Sequence, residues 1–137
     1  MSQENVEIVR NGIAAWNRRD AQLWLTYAAP EIEWVPAGPA AVESAIYRGY
    51  DEVARGLRAV WDTWEVFEFA ESEVRELRDS VLWLGHVKMR GGTSHVELDQ
   101  EFGLHSLLRD GKVIRVHSFL SWREALDAAG LENLGDV

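Results

Sequence analysis

There is no cysteine among these 137 residues, and there are only two lysines, Lys88 and Lys112. The first absence excludes disulfides and thiolate metal sites and is neutral about compartment. The scarcity of lysine goes with an acidic balance: 23 Asp and Glu stand against 14 Lys and Arg, a net charge of −9. Such a surface repels nucleic acid and anionic membranes, and no basic stripe or glycine-rich phosphate loop offsets it. Neither nucleic acid nor a membrane is therefore expected as a partner. No apolar run reaches the ~18 residues of a membrane-spanning helix. The opening Met-Ser-Gln-Glu-Asn-Val-Glu is acidic and polar, unlike a signal peptide, so the expected compartment is the cytoplasm. No internal repeat or linker divides the chain, and 1–137 reads as one domain.

What is present is apolar and aromatic: 47% hydrophobic residues and seven tryptophans, which exclude a disordered chain. The strongest local signal is a hairpin. Two apolar-rich runs, 94–108 and 113–120, flank Arg109-Asp110-Gly111-Lys112, and Asp-Gly supplies the positive φ that a tight turn needs. In the first run Val96, Leu98, Gln100, Phe102, Leu104, Ser106 and Leu108 alternate with a mostly polar set. Period-two alternation sends the two sets to opposite faces. The even face is read as buried, with Gln100 and Ser106 as polar exceptions, joined by Ser118 on the second run.

The segment 3–17 carries Val6, Val9, Ile13 and Trp16 on one helical stripe. Asp20 is placed to cap a second helix, Ala21 to Ala28, that buries Leu23, Trp24 and Tyr27 and is expected to stop before Pro30. Short strands follow at Ile32–Val35 and Ala45–Tyr47, with a loop between them. A third helix, capped by Asp51, has the stripe Val53, Leu57, Val60, Trp61 and Trp64. Strands are expected at Val66–Leu77 and Val81–Met89. Ser121-Trp122-Arg123-Glu124 is a capping box for a short last helix ended by Gly130. Helices gathered before one antiparallel sheet give an α+β domain. A curved sheet wrapped around three helices would leave a conical space open to a ligand.

Several segments carry a resemblance: Ala-Ala-Trp-Asn-Arg-Arg-Asp (14–20), Ala-Pro-Glu-Ile-Glu-Trp (29–34), Tyr-Arg-Gly (47–49), Arg-Asp-Gly-Lys-Val (109–113) and Glu-Ala-Leu-Asp-Ala-Ala-Gly-Leu (124–131). In this order they resemble SnoaL-like proteins of the nuclear transport factor 2-like superfamily. The resemblance implies a cone-shaped α+β barrel, often a homodimer packed through the sheet's outer face. Its relatives include ketosteroid isomerases, polyketide cyclases, limonene-type epoxide hydrolases and non-catalytic association modules. The first-helix tyrosine and the two acids of the isomerases would align with Gly12, Val35 and Gly103 or Leu104. Those of the epoxide hydrolases, with their arginine, would align with Gly85, Val87 and Ser118. None of these positions carries the required group, so neither machinery is inherited.

Three polar residues remain as candidate catalytic groups: Gln100 and Ser118 as hydrogen-bonding orienters, and His105 as a base, although its parity puts it on the outer face. The plainer reading of Gln100, Ser106 and Ser118 is buried groups bonded to one another or to water. Glu33 is the carboxylate expected near a cavity mouth. His95, Glu97, Asp99 and Glu101 share one strand face, but i, i+2 spacing is too wide for a compact metal site. No metal and no cofactor is expected. Candidate ligand-binding residues are Trp16, Trp34, Tyr47, Trp61, Trp64, Trp83, Phe102, Ser106 and Val116. The aromatic ones are equally read as plain core. The expected partner is an apolar, ring-bearing small molecule, either converted by isomerisation, cyclisation or hydration, or bound without chemistry. An association module with a filled cavity is the third reading.

Overall fold

A computed structural model describes residues 2–41, 46–93 and 96–130. Helix α1 (Ser2–Asn17) and helix α2 (Ala21–Thr26) are followed by strand β1 (Ala28–Val35), a single 3-10 turn and strand β2 (Tyr47–Arg48). Helix α3 (Gly49–Thr63) leads into strands β3 (Trp64–Glu76), β4 (Ser80–Gly91), β5 (Glu97–Arg109) and β6 (Lys112–Phe119), and the short helix α4 (Trp122–Ala128) follows. The six strands form one curved, unclosed sheet in the order β2-β1-β6-β5-β4-β3. All neighbours are antiparallel except β1 and β6, which run parallel.

The local signals act as their chemistry requires. Asp20 caps α2 by accepting a hydrogen bond from the Leu23 amide, and Ser121 caps α4 from the Glu124 amide. The β5–β6 turn is two residues long, with φ of 54° at Asp110 and 77° at Gly111. Positive φ at both positions is the twist-matched hairpin geometry. Along α3 the stripe Val53, Leu57, Val60 and Trp61 is buried, and no described helix is long and apolar enough to cross a membrane.

Three expectations are corrected. Asp51 does not cap α3: that helix starts at Gly49 after Arg48, which makes no side-chain cap bond, and Asp51 lies within its first turn. Pro30 does not end a helix: α2 stops at Thr26, and Pro30 lies inside β1. It is tolerated there because the β1–β6 register shifts between Ala28 and Glu33, where a strand can spare an N–H. Trp64 is the first residue of β3 rather than the last of the helical stripe. Of the second short strand, Ala45 lies outside the described residues.

The main core sits between the inner sheet face and helices α1–α3 and includes Trp16, Trp34, Trp61, Phe67, Trp83 and Phe102. A second cluster lies on the outer face, where α4 lays Ala125 and Leu126 over Leu82 and Leu84. Gly103 permits that approach, since a Cβ there would lie 2.5 Å from the Ala125 Cβ.

Candidate functional site

The inner face of the sheet is where alternation placed it. Leu104 stands opposite Ser118, and Ser106 opposite Val116, so the two serines are diagonal neighbours on one face, roughly 7–8 Å apart. Both are buried, at 3% and 5% exposure. Each faces a chamber of its own. The outer chamber, about 40 Å³, lies between α1, the α2–β1 junction and the sheet, with Ser106 in its wall beside Gly12, Tyr27 and Val113. The inner chamber, about 30 Å³, has Ser118 in a wall otherwise made of Trp16, Trp34, Leu57, Phe69, Phe102 and their neighbours. Neither serine hydroxyl has a hydrogen-bond partner among the described residues.

The cone is therefore not the open space the sequence suggested. Each chamber has room for a few waters and is far below the roughly 300–1,000 Å³ of ordinary ligand sites. The cause is interlocking rings. Trp16 packs edge-on against Trp34 and Trp61, with centroids 6.0 and 5.5 Å away, and lies 5.1 Å from Phe69. Its indole N–H donates to the Phe67 carbonyl at 2.8 Å. Trp34 stacks on Tyr47 at 5.1 Å, and Tyr47 in turn lies against Gly56, where a Cβ would come within 2.7 Å of the ring.

Of the aromatic candidates, Trp16, Trp34 and Phe102 line the inner chamber, and Val116 lines both. Tyr47, Trp61, Trp64 and Trp83 stand outside the chamber walls: Tyr47 backs Trp34, Trp64 donates to the Pro39 carbonyl at 3.2 Å, and Trp83 packs on Phe69. The indole N–H groups of Trp61 and Trp83 are buried without an acceptor among the described residues, which costs about 1–3 kcal/mol each. Gln100 has the inward parity but is half-exposed, opposite Val87, and reaches neither chamber.

His105 lies on the outer face, opposite Leu82 and His117, with its Nε2 3.0 Å from the Ser80 hydroxyl oxygen. Burial holds its pKa below the usual histidine value, and the charges of His117 and Arg115 push the same way. Burial and then Arg115 lower His117 likewise. Glu33 is also an outer-face residue, paired with Arg48 at 3.0 Å and Arg115 at 3.4 Å, and so does not guard a cavity mouth. Of the acidic strand face, Glu97 pairs with Arg90, Asp99 with His86 and Glu101 with the Trp122 amide, while His95 lies outside the described residues. No described group of His, Asp and Glu is clustered for a metal ion.

Among the described residues lining the chambers there is no carboxylate, imidazole or amine. A wider concavity of about 850 Å³ lies between the turns at 77–79 and 109–111, lined by Arg78, Asp79, Arg109 and Asp110. It is an open, charged surface groove. Sequence reasoning placed Trp24 on the buried side of α2 but missed its position: it lines both chambers, with Ile13, Leu104 and Val116. Its place on a short helix facing Gly12 was the available signal.

The chain matches solved structures over most of their length. It is 22% identical to TerC co-crystallised with polyporic acid, covering 90% of this chain and 98% of that one, with a TM-score of 0.76. An NTF2-like protein from Burkholderia pseudomallei K96243 is 20% identical over 96% of this chain and 98% of its own, with a TM-score of 0.77. A protein with a ketosteroid isomerase-like fold from Catenulispora acidiphila DSM 44928, in complex with trimethylamine, is 15% identical, covers 91% and 93% of the two chains, and has a TM-score of 0.75. No curated protein matches the chain in sequence. The SnoaL-like domain model matches residues 9–116, from the first helix into the last strand, and the chain belongs to that family.

Proposed function

We propose that the protein binds an uncharged, ring-bearing small molecule inside the cone without transforming it. The observation that carries this reading is the pair of buried serine hydroxyls, each turned into a chamber and without a protein partner among the described residues. A buried hydroxyl left unpaired is costly, so the site favours a guest that supplies hydrogen-bond partners. Rings on the walls suit a flat apolar body, and walls without charge disfavour an ion. Two structural relatives bear on the reading, since one was crystallised with polyporic acid and another with trimethylamine. The absence of an acid or base in the described walls favours binding over isomerisation, cyclisation or hydration.

A solution of 2-naphthol is expected to quench the tryptophan fluorescence and to be recovered unaltered, whereas 2-naphthoate is not expected to bind. Ser106→Ala and Ser118→Ala should each weaken 2-naphthol binding about fivefold, near 1 kcal/mol for a net hydrogen bond, and leave the urea stability of the free protein unchanged or raised, since each removes an unpaired buried hydroxyl. Serine variants that bind as the parent does would refute the assigned anchors. The small chamber volumes favour the runner-up, an association module. It predicts a captured protein partner and no naphthol binding.

A second copy of the chain is the partner we infer for the outer sheet face. Val35, His117, His105 and Leu82 form a half-buried to buried row across β1, β6, β5 and β4, and α4 covers one part of it. Phe119 stacks on His117 at 4.5 Å, and Glu33 neutralises the adjacent Arg115. Because His105 and His117 have lowered pKa values in the fold, the unfolded chain binds more protons as pH falls below about 6.5. Their contribution is complete above that pH and is lost below it. Sedimentation should give twice 15.6 kDa at pH 8, with the mass and the unfolding temperature both falling towards pH 5. A monomer at pH 8, or an unfolding temperature that rises on acidification, would contradict this reading.

A further inference from the structure

Four residues are shared by the two chambers, and they are not equally fixed. Leu104 and Val116 sit in central strands, held by neighbours on both sides: Leu104 faces Trp83 and Ser118, and Val116 faces Ser106 and Trp34. Ile13 stands on the sixteen-residue α1. Trp24 stands on α2, which is six residues long. It is half-buried, and its indole N–H has no acceptor among the described residues. The indoles of Trp16, Trp64 and Trp122 are by contrast tied to the carbonyls of Phe67, Pro39 and Gly85. Facing Trp24 on α1 is Gly12, where even a Cβ would remain 3.9 Å from the indole nitrogen. The indole edge thus lies in van der Waals range of α1 at a residue without a side chain, and turning it costs no protein hydrogen bond.

We propose that Trp24 is a movable plug that divides one binding site in two. Swung outward over Gly12, its indole joins the chambers into a single slot for a flat, uncharged one- or two-ring molecule, held towards its two ends by Ser106 and Ser118. This rests on the small-molecule reading above. The closed state explains the small volumes: the plug occupies space the guest requires. The guest selects the open state, and its apparent affinity is reduced by the fraction of molecules that are open.

The test is stopped-flow binding of 2-naphthol to the parent chain, to Trp24→Ala and to Trp24→Phe, the last keeping a ring should the alanine variant fold poorly. The parent's observed rate should level off at high ligand, limited by opening. Trp24→Ala should remove that plateau and bind about tenfold or more tightly, with Trp24→Phe in between. If parent and variants bind alike in rate and affinity, Trp24 is no plug and the pocket reading stands. If only the variants bind, the indole is a fixed wall and the proposal fails. If none binds, the pocket reading fails and the plug falls with it.

Discussion

Gly85→Ala is expected to lower the stability of the fold by about 3 kcal/mol or more. Gly85 lies in β4, opposite Phe102 on one side and Glu71 on the other. A Cβ built there would fall 2.2 Å from the Ala70 carbonyl oxygen and 2.6 Å from the Trp83 ring. The first contact is with backbone and cannot be relieved by a rotamer change. Either β3 must move away from β4, losing ladder hydrogen bonds, or the fully buried Trp83 must leave its place against Phe69. The same residue accepts a hydrogen bond from the Trp122 indole at 2.9 Å, so α4 is disturbed as well. With a urea dependence of about 1–3 kcal/mol per molar, the unfolding midpoint should fall by at least about 1 M. Gly92→Ala is the control: nothing lies within 4 Å of its Cβ, and it should stay within about 0.5 kcal/mol of the parent. Equal midpoints for the parent and the Gly85 variant would mean that the close approach of β3 is not what requires glycine.

Trp16→Ala should cost about 3–5 kcal/mol. The indole is 4% exposed and meets four other rings, those of Trp34, Trp61, Phe67 and Phe69. Its removal leaves a cavity that rings of fixed shape cannot close, and it orphans the Phe67 carbonyl. Trp16→Phe keeps a ring but not the hydrogen bond, and should cost less, about 1–3 kcal/mol. Urea titration of the three proteins separates the two contributions. A phenylalanine variant as unstable as the alanine one would assign the stability to the hydrogen bond, and an alanine variant as stable as the parent would remove Trp16 from the core's accounting altogether.

What the sequence made legible follows from how far each signal reaches. Asp110-Gly111 and Ser121 act over two to three residues, and their turn and cap lie where the residues put them. Alternation along β5 identified the inner face, and Phe102, Leu104 and Ser106 are buried on it. Alternation reports a face but not how far along the strand the core extends. Leu98 and Val96 continue the apolar set and are nevertheless 49% and 59% exposed, and Gln100 marks the transition between them. Pro30 carries a local helix-stop signal, whereas its tolerance in β1 depends on a register shift against β6, far away in the chain. Seven tryptophans announced large rings without saying whether they would surround a void or interlock. That difference depends on tilts such as the 76° between Trp16 and Trp34, which no spacing encodes.

The parallel pairing of β1 with β6 also constrains the order in which the molecule can assemble. The β3–β4 and β5–β6 hairpins close short loops and can form as soon as their own residues exist. β1 has only the two-residue β2 for company until β6 arrives, because Trp34 needs Val116 beside it. Distant pairings are slow to nucleate, and apolar surface awaiting its partner is prone to aggregate. During synthesis the early helices and their rings would therefore emerge from the ribosome well before the strand that completes their shelter. A sequence change that weakens β6 would then reduce the yield of soluble protein before it altered any property of the finished fold.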